Sequence, residues 1–444
     1  MNRQWEFSRN AAKFVLYAAL ACLQFIAGTR KLSASDRVAI SDTKNNRVLI
    51  FDAPWHTNES ASVVLGQADF LHGSPNRGGK PAANTLRMPM GLAKDSDGNL
   101  YVADLGNCRI LQFRPPFTNG MSASQIIKDP GFASASCDSD SMSFPLQTRG
   151  LVVPISLIGG ASGNLFAVDM LSSRVLQYQS LSTKPNLVLG ESKAEPEDYA
   201  SNCEFRDEVT AETLCAPLGI AFDAEGNLWV ADAGDNRVLK FEPPFSPSMR
   251  ATLELGQPAE TAFTSNSYRS AECGRSSAQD DPNSDEIESI CPSGPESPTG
   301  KSLYSPRSLA FDGHGNLWVA DQNNGRILEY VAPFSNGMTA TIVIGEEDFR
   351  HRSLGGQHPQ VVSANTLTAG TDLAFDSSGS LMVVDSLQHR VLVFNPPFRN
   401  GMPATLVLGS ADFKNTNFNR DGRFLPRRAI AANLLNEPSD LVVF

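Results

Sequence analysis

The sequence predicts an all-β fold, a six-bladed β-propeller with four antiparallel strands in each blade. Three observations carry this expectation. An Asp-x4-Arg pair recurs six times, as Asp42/Arg47, Asp104/Arg109, Asp169/Arg174, Asp232/Arg237, Asp321/Arg326 and Asp385/Arg390. Each pair sits inside one longer phrase, fullest at 217–245 as PLGIAFDAEGNLWVADAGDNRVLKFEPPF. The two chain ends hold complementary fragments of that phrase. A phrase copied along a chain means one supersecondary unit copied, and short strands repeated radially leave only protected sheet edges. The aspartates are spaced by 62, 65, 63, 89 and 64 residues, so a single insertion interrupts a regular array.

Within the unit, GIAFD (219–223) is a short apolar run that ends on an acidic turn residue. Gly226 then supplies the positive φ of a tight hairpin, which a residue with a Cβ adopts only with strain. The run LWVA (228–231) is apolar on both alternating faces, as in a strand buried between two layers. A second polar hairpin spans Asp232 to Arg237, and VLKF (238–241) is the third strand. Pro243 and Pro244 end it, because proline has no N–H for the ladder. ATLEL (251–255) is the fourth strand. The other copies repeat this grammar with RPPFTNGM (114–121), VAPFSNGM (331–338) and NPPFRNGM (395–402) at the third turn. SVVLGQADF (62–70), TIVIGEEDF (341–349) and TLVLGSADF (405–413) mark the fourth strand. The third copy keeps Gly163-Asn164 and Asp169/Arg174 but lacks the PPF turn.

The tail LVVF (441–444) matches only a first strand, whereas the repeats open at RVAISD (37–42) and RVLIF (47–51), a second and a third strand. The C-terminal strand is therefore expected to complete the N-terminal blade, since an open ring leaves two edges bare. The blades fall near 36–68 with 438–444, 89–128, 149–190, 217–256, 306–345 and 371–409, giving one propeller over 35–444 after a separate segment at 1–34.

These phrases, strongest at 89–112, 216–241 and 306–329, resemble the NHL-repeat family of six-bladed propellers. The long units and VLGQADF-like fourth strands are most similar to its bacterial extracellular members. The resemblance implies the fold and leaves function open, because the family includes RNA binders, protein-interaction modules, kinase sensor domains and a metal-dependent lyase. The histidine ligands of the lyase branch have no matching positions here.

Residues 1–34 follow the order of a secretory leader. Arg3, Arg9 and Lys13 precede an apolar run at 14–28, and small residues follow at 33–35. The expected location is secreted, periplasmic or cell-surface, with membrane attachment only if this segment stays uncleaved. Cys22 after Ala-Leu-Ala is a partial lipoprotein pattern without the usual leucine. Six cysteines remain beyond the leader: Cys108, Cys137, Cys203, Cys215, Cys273 and Cys291. Local pairing of 108 with 137, 203 with 215 and 273 with 291 is the expectation in an exported chain. The formal charge is −11, and becomes −15 when the leader's five basic residues and one acidic residue are removed. Such a surface disfavours nucleic acid and anionic lipid, both of which need cationic contacts. The run RFLPRR (423–428) is the nearest basic patch.

Six near-identical Asp/Arg pairs fit a scaffold, with Asp accepting turn N–H groups and Arg bridging to a neighbouring carboxylate, better than an active site, which needs asymmetry. Asymmetry enters where the first strands, lining the central channel, begin on the linker-bearing face. There the copies read Met90-Gly91, Arg149-Gly150, Leu218-Gly219, Arg307-Ser308, Thr371-Asp372 and Ser439-Asp440. Asp372 and Asp440 come from adjacent blades with Arg149 and Arg307 opposite, so these four are the candidate ligand-binding residues. The six histidines show no ligand spacing, and no zinc site is expected. Calcium is the one cofactor considered, at this mouth or in the acidic insertion at 262–303, which lacks the glycine and terminal glutamate of a calcium loop. No catalytic residue is assigned. The expectation is a monomeric binding module that takes a protein or glycan on its linker face. The alternative is a calcium-assisted hydrolase or lyase at the channel mouth.

Overall fold

The computed structural model describes residues 36–127, 154–160, 164–170, 172–179, 185–190, 209–259, 298–351, 362–414 and 430–444. The leader-like segment, Arg149, Cys137, Cys203, Cys273, Cys291, nearly all of the 262–303 insertion and the 423–428 patch lie outside them.

Six four-stranded sheets form the ring. The first blade holds β1 (Arg37–Asp42), β2 (Arg47–Asp52) and β3 (Val63–Leu65). The second holds β4 (Pro89–Lys94), β5 (Leu100–Asp104), β6 (Arg109–Phe113) and β7 (Gln125–Ile127). The third holds β8 (Pro154–Gly159), β9 (Leu165–Asp169), β10 (Arg174–Tyr178) and β11 (Leu187–Leu189). The fourth holds β12 (Gly219–Phe222), β13 (Leu228–Asp232), β14 (Arg237–Phe241) and β15 (Leu253–Leu255). The fifth holds β16 (Pro306–Phe311), β17 (Leu317–Asp321), β18 (Arg326–Tyr330) and β19 (Ile342–Ile344). The sixth holds β20 (Gly370–Phe375), β21 (Leu381–Asp385), β22 (Arg390–Phe394) and β23 (Leu406–Leu408). The last strand, β24 (Pro438–Val443), pairs antiparallel with β1, so that Val38 faces Val443 and Ile40 faces Leu441. The tail closes the ring as the complementary ends predicted.

The core is divided among the junctions between blades. Leu92, Val102 and Phe113 of the second blade pack with Val48, Ile50 and Leu65 of the first. Trp318 of the fifth packs with Leu373, Val383 and Leu392 of the sixth. Second strands are buried on both faces because each lies between two neighbouring sheets, which explains why LWVAD does not alternate. Trp229 and Trp318 are fully buried. Each directs its indole N–H at the first-turn aspartate of its own blade, Asp223 at 2.8 Å and Asp312 at 3.3 Å.

The outer edge of a blade is capped by the third turn of the next. Asn119, Asn336 and Asn400 accept the N–H groups of Val64, Glu254 and Val343 at 3.0, 2.9 and 3.0 Å. The NGM signature is thus an edge-strand device. At the closing junction Thr57 takes the asparagine's place, and the Val407 N–H reaches its Oγ1 at a looser 3.4 Å.

The third blade departs from expectation at its start. Its first strand pairs Pro154 with Asp169, as Pro89 pairs with Asp104, so Ile155-Ser156 occupy the position assigned to Arg149-Gly150. The degraded copy reads PISL where its neighbour reads PMGL, and the missing glycine hid the match.

Candidate functional site

Each Asp-Arg pair closes the turn between second and third strands as a directly opposed cross-strand pair, and in five blades that turn is a 3-10 segment. The oxygen–nitrogen separations are 2.6 Å for Asp42/Arg47, 2.7 Å for Asp104/Arg109 and 3.0 Å for Asp169/Arg174. They are 2.8 Å for Asp232/Arg237, 2.7 Å for Asp321/Arg326 and 2.9 Å for Asp385/Arg390. All twelve side chains are buried. Every arginine bridges to its own aspartate. At Arg237 two further carboxylates, Asp235 and Glu254, also approach. There burial, and after it the charge of Asp235, push Asp232 up to about 7 against the pull of Arg237.

What the pairs do with their remaining hydrogen bonds was not legible in the spacing. The aspartate Oδ1 accepts an N–H from the linker that enters the blade, at Arg87, Cys215, Tyr304, Thr368 and Asn436. The guanidinium donates to two carbonyls of the same linker. Arg109 reaches Ala82 and Thr85, Arg237 reaches Thr210 and Thr213, and Arg326 reaches Thr299 and Ser302. Arg47 makes the same bonds to Ala431 and Leu434 across the ring closure. In three blades another N–H holds the loop that leaves the fourth strand, at Phe70, Phe349 and Phe413. In those loops Asp69, Asp348 and Asp412 accept the N–H two residues on, which presents Leu71, Arg350 and Lys414 to solvent.

Inside the ring, the six first strands line a cavity of about 420 Å³ whose polar side chains are Lys94, Ser156, Ser308, Asp372 and Asp440. Ser308, Asp372 and Asp440 occupy the same strand position in three successive blades, and each reaches the next blade. The Leu373 N–H donates to Ser308 Oγ at 3.3 Å, and the Leu441 N–H to Asp372 Oδ2 at 2.8 Å. Ser308 Oγ donates to Asp372 Oδ1 at 2.6 Å. The Leu92 N–H serves Asp440 in the same way. Where this position is glycine the strands themselves close up, and a Cβ on Gly219 would lie 2.2 Å from the Arg307 carbonyl oxygen.

Asp372 and Asp440 are brought together and hydrogen-bonded to one another. Burial raises both carboxyls above their usual range. Asp440 is held well above it, by burial first and then by the charge and hydrogen bond of Asp372. Arg307, half-buried at the mouth, feels both charges, while burial pulls its guanidinium below the ordinary range. Three of the four candidate residues therefore converge, and Arg149 lies outside the described residues. Cys108 and Cys215 are both buried, at the second turn of the second blade and in the linker entering the fourth.

The sequence model of the NHL repeat matches residues 86–113 and 214–241, which are the opening strands of the second and fourth blades. The chain is a six-bladed β-propeller with NHL-repeat matches in two of its blades. Among solved structures, this propeller is similar to a catalytically inactive virginiamycin B lyase from Staphylococcus aureus with quinupristin. The TM-score is 0.36 at 10% identity, covering 70% of this chain and 68% of that one. A streptogramin B lyase gives 0.35 at 11% identity, covering 70% and 66%. A protein of unknown function from Bacteroides caccae gives 0.47 at 8% identity, covering 92% and 99%. None of these likenesses bears on activity. No curated protein matches the chain.

Proposed function

We propose that this propeller is an exported, non-catalytic binding module that takes a protein or glycan partner on its linker-bearing face. The observation that carries the reading is where the buried Asp-Arg pairs spend their hydrogen bonds. They fix the backbone of the described linker stretches that enter each blade, so those stretches are held in place before any partner arrives. Preorganisation of this kind reduces the ordering cost of association. Loops of variable sequence on a rigid frame are also where binding residues concentrate. Export is supported by the leader-like pattern at 1–34, and local disulfides by the even number of cysteines beyond it.

The competing reading, a calcium-assisted hydrolase or lyase at the channel mouth, has less support. Calcium needs six to eight oxygen ligands. Asp372 has its oxygens engaged by Ser308 and the Leu441 N–H, and Arg307 adds positive charge beside the pair. These residues do not fit the ion.

The test uses the purified chain on an arrayed glycan panel and on cross-linked surface proteins, beside turnover assays with peptide, ester and polysaccharide substrates. Two variants are compared, D372N/D440N in the channel and L71A/R350A/K414A on the linker face. The expected result is binding that survives the first variant, falls by an order of magnitude or more in the second, and comes without turnover. Calcium-dependent turnover abolished by D372N/D440N contradicts the proposal.

A further inference from the structure

At four of the six junctions, adjacent blades are latched to one another by a side chain at the end of the second turn. That residue is left-handed, with φ of 54° at Asn46, 51° at Ser173, 55° at Asn236 and 56° at His389. Each accepts the N–H of the residue just before the next blade's first strand. Asn46 takes Met88 at 2.9 Å, Ser173 takes Ala216 at 3.2 Å and Asn236 takes Ser305 at 2.8 Å. The receiving residues are themselves left-handed, with φ of 50° at Met88, 43° at Ala216 and 53° at Ser305. In the sixth blade the acceptor is His389 Nδ1, which takes the Glu437 N–H at 2.9 Å. Glu437, with φ of 47°, leads directly into β24, the strand that closes the ring.

We propose that His389 makes ring closure acid-labile: neutral, it accepts the Glu437 N–H, and protonated it becomes a donor and releases the closing strand. Amide and hydroxyl acceptors at the other latches do not titrate, so the sensitivity is confined to one junction. The same junction has the slackest outer staple, at Thr57, although on the channel side the Leu441 N–H still reaches Asp372 at 2.8 Å. Among the described residues, the charged groups on the neighbouring elements include Asp385 and Arg390 in its own turn and Glu437 on the approach to β24. From the first blade come Asp42, which takes the Asn436 N–H at 2.7 Å, and Lys44, whose Nζ lies 3.6 Å from Glu437. Asp385 is matched by Arg390, and Glu437 by Lys44.

The direction of the effect follows from linkage. Burial pulls His389 down to about 4, whereas an imidazole in the unfolded chain titrates near ~6.5. The unfolded chain takes up the proton first on acidification. The latch therefore contributes fully above about pH 6.5, is lost as pH falls toward about 4, and changes no further below that.

The experiment compares the full chain with His389→Asn, which installs the acceptor already used at Asn46 and Asn236 in the same backbone conformation. Thermal unfolding is followed from pH 7 to pH 3.5, with amide exchange of 438–443 referenced to an unstructured peptide at each pH. The variant is expected to lose less Tm than wild type between pH 6.5 and 4, by at least about 2 °C, and to keep β24 protected at pH 4. Equal acid sensitivity in the two proteins overturns the proposal. Should the variant fail to fold, NMR titration of the wild-type imidazole decides. A midpoint near 4 that coincides with loss of β24 protection supports the latch, and protection that persists through the titration overturns it.

Discussion

A buried arginine is costly unless its donors are matched, and the six pairs show how the match is made. Arg326 gives Nε to Asp321 at 2.7 Å, one terminal N–H to Phe349 and two more to Thr299 and Ser302, so four of the five guanidinium N–H groups are matched by one side chain and three carbonyls. The Asp-x4-Arg spacing made the ion pair legible, because the two residues oppose each other across a turn. The carbonyl contacts lie 23, 24 and 27 residues away through segments of unlike sequence, so no motif announced them. Replacing Arg326 by Met leaves Asp321 charged and dry, and a loss of about 3–5 kcal/mol is expected in urea unfolding. Asp321→Leu added to Arg326→Met is expected to cost less than the sum of the two single changes, since it removes the stranded carboxylate as well. At the channel mouth Asp372 and Asp440 were recognisable as neighbours from blade order. That their oxygens serve the next strand's N–H groups was not, because those bonds depend on backbone approach around the axis.

At the scale of the strand, the glycine that ends the fourth strand in five of the six blades has a steric cause. Gly409 follows β23 with φ of 78°, and a Cβ there would lie 2.2 Å from Leu435 Cδ1. Gly66, Gly190, Gly256 and Gly345 meet Leu86, Leu214, Leu303 and Leu367 in the same way. A linker leucine thus plugs the end of these five fourth strands, and only glycine leaves room for it. Gly409→Ala is expected to destabilise by roughly 1–3 kcal/mol in chemical denaturation. Much of that loss should disappear in a Leu435→Ala background, because the clash is with that side chain. The glycines and the PPF and NGM turns made most strand positions readable. The third blade shows the limit, since Ser156 replaces the mouth glycine and PPF is absent, and the pattern slid forward to Arg149-Gly150.

The whole molecule depends on how the ring is joined. Five junctions follow chain order, and the sixth joins residues some 400 apart in sequence through β1 and β24. Arg47, Thr43 and Asp42 of the first blade all bond to residues of the returning tail, namely Leu434, Ser439 and Asn436. This closure was legible because each end stops in register with the other. The latch and the weak outer staple at the same junction were not, since both rest on single substitutions within a repeated position. Without β24, the inner edge of β1 is unpaired and the polar groups of the channel lose one wall. Deletion of 438–444, followed by calorimetry and light scattering on the purified protein, tests the account most directly. It predicts a broad, low-temperature transition and self-association through the bare β1 edge. A truncated chain that stays monomeric and melts cooperatively at the full-length temperature would contradict it.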